Sequence, residues 1–251
     1  MEPVGTIEKA TDVLFHLHRQ PAGCGLSEIG RALDIPKSSV HRLLAPLARR
    51  GLVEKDDAGR YRPGVALLAL GLGVLEREPV VQAARPILER LSSVVGETCF
   101  LVGARGGRLT VLEKAEGTGV LRAAPQVGAA VPVHATAVGK LYLAFSPEDL
   151  VYLDDEKSEA FTAHSLTKPS ALQRAVAQVR ERGLAWNEDE WILGLSVVAA
   201  PVRVGERMLG ALALAIPTAS LAEHDRRHLE AQIERAAQET SDRLNGCGWS
   251  P

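Results

Sequence analysis

The chain has 251 residues, 46% of them hydrophobic and 24% charged, with a formal charge of -2. That length suits two ordinary domains or one large one, and the composition excludes a disordered chain and a membrane-embedded one. Its three cysteines, Cys24, Cys99 and Cys247, are odd in number and far apart, so they spell neither a disulfide frame nor a zinc site.

The opening stretch MEPVGTIEKATDVLFHLHRQ mixes acids and histidines among its apolar residues. It reads as neither signal peptide nor membrane span, and the protein is expected in the cytoplasm. Residues 1 to 64 hold ten bases against eight acids, and the remainder nineteen against twenty-three. Six of the ten bases lie between Lys37 and Arg60.

Ile7, Ala10, Val13, Leu14 and Leu17 follow the spacing of an amphipathic helix. Ser27 is placed to cap a second, short helix over SEIGRALD, with Glu28 in its first turn where the helix dipole favours an anion. A third begins near Pro36, carries Val40, Leu43, Leu44 and Leu47 as its inner stripe, and stops at Gly51. Lys37, Ser38, Ser39, His41 and Arg42 remain on its outer side. Pro46 predicts a bend or a tightened last turn, since it removes a backbone donor inside the helix.

GLVEKDDAGRYRPG then reads as strand, Asp-rich turn and strand, with Arg60 and Arg62 alternating with Tyr61. A short helix, a turn, a polar-entry helix and a hairpin together make a winged helix-turn-helix, whose second helix lies in the DNA major groove. Its candidate DNA contacts are Ser27, Lys37, Ser38, Ser39, His41, Arg42, Arg60 and Arg62.

GVALLALGLGVLEREP is apolar nearly all round, so as a helix it needs burial. A partner subunit's matching helix is one cover, and its own chain is the other. Pro79 marks the boundary. A helix is expected over residues 80 to 95, strands in TCFLVGAR, GRLTVLEKAE and GVLRAAP, and helices over about 135 to 145 and 147 to 153. SALQRAVAQVRERG is an amphipathic helix, GLSVVAAPVRV and RMLGALALAIP are long apolar strands, and a polar helix closes the chain from about Leu221 to Leu244.

The segment PVHATAVGK ends in Gly139-Lys140, yet a phosphate-binding loop would need glycine where His134 stands and Ser or Thr where Leu141 stands. It reads instead as a loop feeding a helix N-terminus, whose free amides welcome a carboxylate. His134 and Lys140 fit structural roles, the latter paired with an acid such as Asp189 or Glu190. No strand-Gly-x-Ser-x-Gly elbow presents a nucleophile, and no paired acid and base is placed for catalysis, so no enzyme, metal or cofactor is expected.

GLSEIGRALDIPKSSVHRLLAPLARRGLVEKDDAGRYRPG, VGAAVPVHATAVGKLYLA, RGLAWNEDEWILGLSVVAAPV and GALALAIP together resemble the IclR family of bacterial transcription regulators over nearly the whole chain. The resemblance implies an α+β two-domain protein: a winged helix-turn-helix over residues 1–64, a linker helix over 65–79, a GAF-like effector domain over 80–245 with a mixed or antiparallel sheet flanked by helices, and a flexible tail over 246–251. It further implies homodimers that can pair into tetramers, a double-stranded DNA operator with inverted repeats, and a small-molecule effector, with repression the expected sense.

The resemblance carries ligand contacts onto Ala137 and Val138 through their amides, and onto Asn187, Val197, Ala213 and Ala215, with Leu121, His134 and Gly139 completing the candidate set. Relatives that grip a small keto acid have acidic, thiol and hydroxyl groups where Asn187, Val197, Ala213 and Ala215 stand. The amide and apolar replacements point to a larger, less polar effector such as an aromatic acid.

Overall fold

The computed structural model describes residues 5–75, 77–119, 125–150 and 159–246. The chain divides into two compact units, Met1–Arg77 and Glu78–Pro251.

The first unit opens with α1 (Thr6–His18), α2 (Leu26–Ala32) and α3 (Lys37–Arg49), followed by the hairpin β1 (Val53–Lys55) and β2 (Tyr61–Pro63) and by α4 (Val65–Leu75). Val13, Leu17, Ile29, Val40, Leu44, Val53 and Tyr61 bury their side chains in one core. Ile7 does not join the predicted stripe of α1 and is 83% exposed. Ser27 does not cap α2 either. The cap is Gly25, which has no side chain to accept from the first helical amides; its own N–H donates to the Glu28 carboxylate at 2.8 Å, the reciprocal half of a capping box.

Pro46 sits within α3 without ending it. The tightening comes afterwards, where Leu52 N–H donates to Leu47 O and Gly51 N–H to Ala48 O, with Gly51 at φ 67. That pair of bonds is a Schellman motif, and glycine suits its left-handed residue. The predicted tight end is therefore present, but Gly51 makes it.

Helix α4 keeps its apolar residues uncovered: Val65, Leu68, Leu70, Leu72 and Val74 are all exposed. Burial within its own chain, one of the two covers considered, is not seen for them.

The second unit is built on a five-stranded sheet in the order β4-β3-β7-β6-β5, with β3 (Thr98–Arg105), β4 (Arg108–Ala115), β5 (Ala185–Glu188), β6 (Leu195–Val204) and β7 (Arg207–Pro217). Every pairing is antiparallel. Strand β5 was missed by the sequence reading, because AWNE is too short to show a two-residue period. The expected strand GVLRAAP falls largely on residues 120–124, which lie outside the described ones, as does Leu121. Of the helix expected over 147–153, a 3-10 turn covers Pro147–Asp149, and residues 151–153 are likewise outside. The final helix α8 (Arg226–Gly246) starts later than expected, after a 3-10 turn over Thr218–Glu223. Past residue 246, the tail also lies outside the described residues.

Alternation along β7 divides the second unit's core. Ala211, Ala213 and Ala215 join Val197, Ala199, Phe100 and Val102 in a cluster with Ala137, Val138 and Leu141 of α6 (Ala137–Phe145). The opposite face, with Leu212, Leu214 and Ile216 buried, is covered by α5 (Pro79–Val95) and α8. Helix α7 (Pro169–Arg182) packs on α6.

The approach of α6 is unusually close. A Cβ built on Gly139 would lie 1.8 Å from the Val133 carbonyl oxygen, a backbone atom with no rotamer to move. Gly139→Ala is expected to cost about 3 kcal/mol or more, lowering the unfolding midpoint of this unit by roughly 6–12 °C. A calorimetric midpoint equal to that of the parent protein would show that the loop yields.

Candidate functional site

In the first unit, Lys37, Ser38, His41 and Arg42 on α3 share a groove of about 600 Å³ with Leu26, Lys55, Gly59 and Tyr61. The four α3 side chains are exposed and lie on one face, opposite Val40, Leu43 and Leu44, which are buried. Ser39 is half-buried beside that apolar face and Ser27 is exposed; neither lines the groove.

Lys55 was not among the predicted contacts. It is the cross-strand partner of Tyr61, and its ammonium stands 5.5 Å from the centre of the Tyr61 ring. An aromatic with a cation opposite it across a hairpin was the available signal.

Arg60 and Arg62 do not face outward together. Arg60 turns back to the body of the unit: Nε donates to Ala22 O at 3.1 Å, and Nη2 to Gly23 O at 2.7 Å and to Glu28 Oε2 at 3.2 Å. Cys24 and Tyr61 exchange two backbone hydrogen bonds beside it. Arg60 thus ties the wing to the turn before α2. Arg62 is exposed and pairs across the hairpin with Glu54 at 3.3 Å, a surface contact worth little by itself.

The second site lies at the N-terminus of α6. Thr136 caps the helix, its Oγ1 accepting from Gly139 N–H at 3.0 Å and donating to Pro132 O at 2.7 Å. The Lys140 N–H is taken by Thr136 O. Among the described residues the N–H groups of Ala137 and Val138 have no acceptor, although both residues are buried. Buried amides without partners are rare and call for a reason.

Ala137 and Val138 line a cavity with Phe100, Val102, Val131, Trp191, Ile192 and Val197 among its walls. The space left is about 20 Å³, room for roughly one water. Of the predicted contacts, Ala137, Val138, Asn187 and Val197 line it. Gly139 spends its N–H on the cap. Ala213 and Ala215 lie on the same sheet face but inside the packed cluster. His134 faces elsewhere, its Nε2 2.9 Å from Glu159 O and its ring stacked on Phe161.

Asn187 lines the cavity with an amide already committed. Its Nδ2 donates to Ala135 O at 2.9 Å and its Oδ1 accepts from Glu190 N–H at 3.1 Å. Lys140 pairs with Glu190, one of the two acids expected for it, and also donates to Trp186 O at 2.9 Å. Both partners of the ion pair are buried, and Glu190 Oε2 has no hydrogen-bond partner. Burial raises the Glu190 carboxyl above the usual carboxylate range, with the Lys140 ammonium pulling the other way. Asp189 sits at φ 60, its Oδ1 accepting from Gly194 N–H at 2.7 Å and Thr218 Oγ1 at 2.8 Å.

The lining has the chemistry for a carboxylate or similar acceptor at the helix end and an apolar body against the walls, but the space of about 20 Å³ does not admit one as it stands. Among the described residues no group of three or more His, Cys, Asp or Glu is disposed to hold a metal, and no helix is long and apolar enough to cross a membrane.

A winged helix-turn-helix followed by a separate sheet domain defines a two-part DNA-binding regulator. Comparison with known proteins gives the family. The IclR helix-turn-helix domain matches residues 6–57, and the bacterial transcriptional regulator IclR C-terminal domain matches residues 72–242. The chain therefore belongs to the IclR family of bacterial transcriptional regulators.

It is 33% identical over 243 residues to the HTH-type transcriptional regulator BhcR of Paracoccus denitrificans, spanning 95% of this chain and 86% of that one. The crystal structure of the Thermotoga maritima IclR superposes with a TM-score of 0.79 at 25% identity, over 95% of this chain and 98% of that one. An IclR homologue from Microbacterium hydrocarbonoxydans, complexed with 4-hydroxybenzoate, has the same fold at 21% identity, with a TM-score of 0.80 over 96% of this chain and all of that one. The relatives are regulators, and this chain is a regulator and not an enzyme.

The Lys140–Glu190 pair gives a direct test of how the site is held. Lys140→Met alone strands a buried carboxylate and should destabilise by about 3–5 kcal/mol, whereas the Lys140→Met, Glu190→Leu double variant should recover most of that. Denaturant unfolding of the three proteins distinguishes the outcomes; equal stabilities for single and double variants would mean that the pair is not coupled.

Proposed function

We propose that this regulator is a repressor of a catabolic operon, binding an inverted repeat through two wing-and-helix units and responding to a small organic acid with an apolar or aromatic body. The observation that carries the effector reading is the pair of unpaired N–H groups at Ala137 and Val138, two buried residues that line an apolar cavity. Two amides at the positive end of a helix favour an anion, and Phe100, Val131, Trp191 and Val197 favour hydrocarbon beside it.

The DNA reading rests on Lys37, Ser38, His41, Arg42 and Lys55 around one groove. Arg60 supports it by fixing the wing, and Arg62 stands on the exposed hairpin face where it can reach phosphate. The uncovered apolar surface of α4 supports a homodimer joined through that helix, because such a surface is costly in water. Pairs of dimers would make the tetramer. Operation in the cytoplasm fits a DNA operator as partner.

Mobility shifts with the promoter DNA adjoining the gene test the interface. Arg42→Ala should weaken binding several-fold and, if it meets a phosphate, reduce the salt slope by about one. Arg60→Lys should weaken it nearly as much as Arg60→Ala, with a lower unfolding midpoint, because lysine cannot make the three bonds to Ala22, Gly23 and Glu28. Retained affinity in Arg60→Lys would instead make Arg60 a simple phosphate contact.

For the effector, 4-hydroxybenzoate is a suitable first probe in a calorimetric screen of small acids. Ala137→Pro deletes one of the two amides at a first-turn position that accepts proline, and Thr136, at φ -131 and ψ 151, already has the conformation a following proline prefers. Affinity should fall about tenfold. Tight binding by glyoxylate or pyruvate alone would overturn the apolar reading, and an unchanged affinity in Ala137→Pro would remove the amides from the site.

A further inference from the structure

The cavity is too small for the ligand its amides would welcome, so some part of its wall must move. The described wall is not uniform. Residues 187–190 are held by many bonds: Asn187 to Ala135, Glu190 to Lys140 and to Ser165, and Asp189 to Thr162 and Thr218. The next three residues are held by almost none. Among the described residues the backbone N–H groups of Trp191, Ile192 and Leu193, and the indole N–H of Trp191, have no partner; the one backbone bond from this tip is Leu195 N–H to Ile192 O at 3.2 Å.

What keeps the tip down is apolar packing. Trp191 and Ile192 are half-buried against the core cluster and line the cavity, while Leu193 is 74% exposed. The tip is flanked by the anchored Glu190 and by Gly194 at φ 84, a left-handed position that glycine adopts freely. Asp189, at φ 60 without being glycine, holds Gly194 N–H at 2.7 Å and so closes the base of the loop. Backbone strain of this kind concentrates at ligand clamps and switch regions.

We propose that Trp191 and Ile192 form a lid that plugs the effector cavity, swinging about Glu190 and Gly194 with Leu193 outside the seal, while the Lys140–Glu190 pair keeps the base fixed on α6. The proposal rests on the effector reading of the Ala137 and Val138 amides. With the lid down those two N–H groups have no protein partner. Raising it admits an acceptor to them and makes room for the hydrocarbon, so the ligand selects the raised state through contacts the closed state lacks.

The test uses the full chain and the anionic dye 1-anilinonaphthalene-8-sulfonate, whose sulfonate and aromatic rings match the chemistry of the cavity. Trp191→Ala should raise dye affinity at least five-fold, whereas Leu193→Ala, which removes an exposed side chain from the same tip, should leave it unchanged. A Trp186→Phe, Trp249→Phe protein carrying 5-fluorotryptophan at position 191 should show two exchanging fluorine environments, the dye shifting their populations. One sharp fluorine resonance unmoved by the dye, together with equal dye affinities for Trp191→Ala and Leu193→Ala, overturns the lid. Adding Ala137→Pro to Trp191→Ala separates the two ideas. A gain in dye uptake that Ala137→Pro abolishes supports both, and a gain that survives Ala137→Pro keeps the lid but removes the amides as the anion site.

Discussion

The effector domain depends on one close approach. Helix α6 can meet the Val133 carbonyl only because Gly139 has no Cβ, and it can lie on the sheet because Ala137 faces a strand bearing Ala211, Ala213 and Ala215. Bulkier residues on that strand would lift the helix. Thr136 then fixes the start of α6 by capping Gly139, which consumes one of the first-turn donors and leaves those of Ala137 and Val138. The two unpaired amides on which the proposed effector site rests are thus a consequence of packing: small side chains bring the helix in, the cap decides which amides are spent, and the remaining two belong to residues that line an apolar cavity.

The DNA-binding unit shows a related economy. Glu28 caps α2 through the Gly25 N–H and also meets Arg60, so one carboxylate joins the helix start to the wing. Exposed ion pairs contribute little alone, but Arg60 also bonds two backbone carbonyls of the turn before α2. A charged side chain on the wing can therefore affect DNA affinity by holding the wing in place, without touching DNA.

Much of this was legible in the sequence where local rules dominate. The three-four spacing of Val40, Leu43, Leu44 and Leu47, the stop at Gly51 and the alternation about Tyr61 define the winged helix because each is a short-range property. That Ala137 and Val138 stand at a helix start with unspent amides follows from the chemistry of helix starts; their contact with a ligand is proposed. What was not legible depended on long-range geometry. Arg60 meets carbonyls 37 and 38 positions away, so the alternation along the strand, which puts it on one face with Arg62, does not predict where it turns. Asn187 looked like a ligand contact because of its position, yet its amide is consumed by Ala135 and Glu190. Strand β5 carried too few residues to display a period, and it became a strand because β6 offered it an edge.

The small residues of the cavity also change the meaning of its apolar walls. Replacing hydroxyls and a thiol with Val197, Ala213 and Ala215 suggested a larger chamber from sequence alone, but Ala213 and Ala215 are absorbed into the contact with α6, and the freed space is about 20 Å³. Small side chains leave no void in a close-packed interior where the facing element approaches closely enough to fill it, as α6 does here. On the proposed lid, the size of the effector would be set less by the alanines than by how far Trp191 and Ile192 withdraw. Since a ligand shifts a conformational equilibrium only by its differential affinity for the two states, an effector of the proposed lid would act through what the open cavity offers and the closed one withholds: two amides and an uncovered apolar wall.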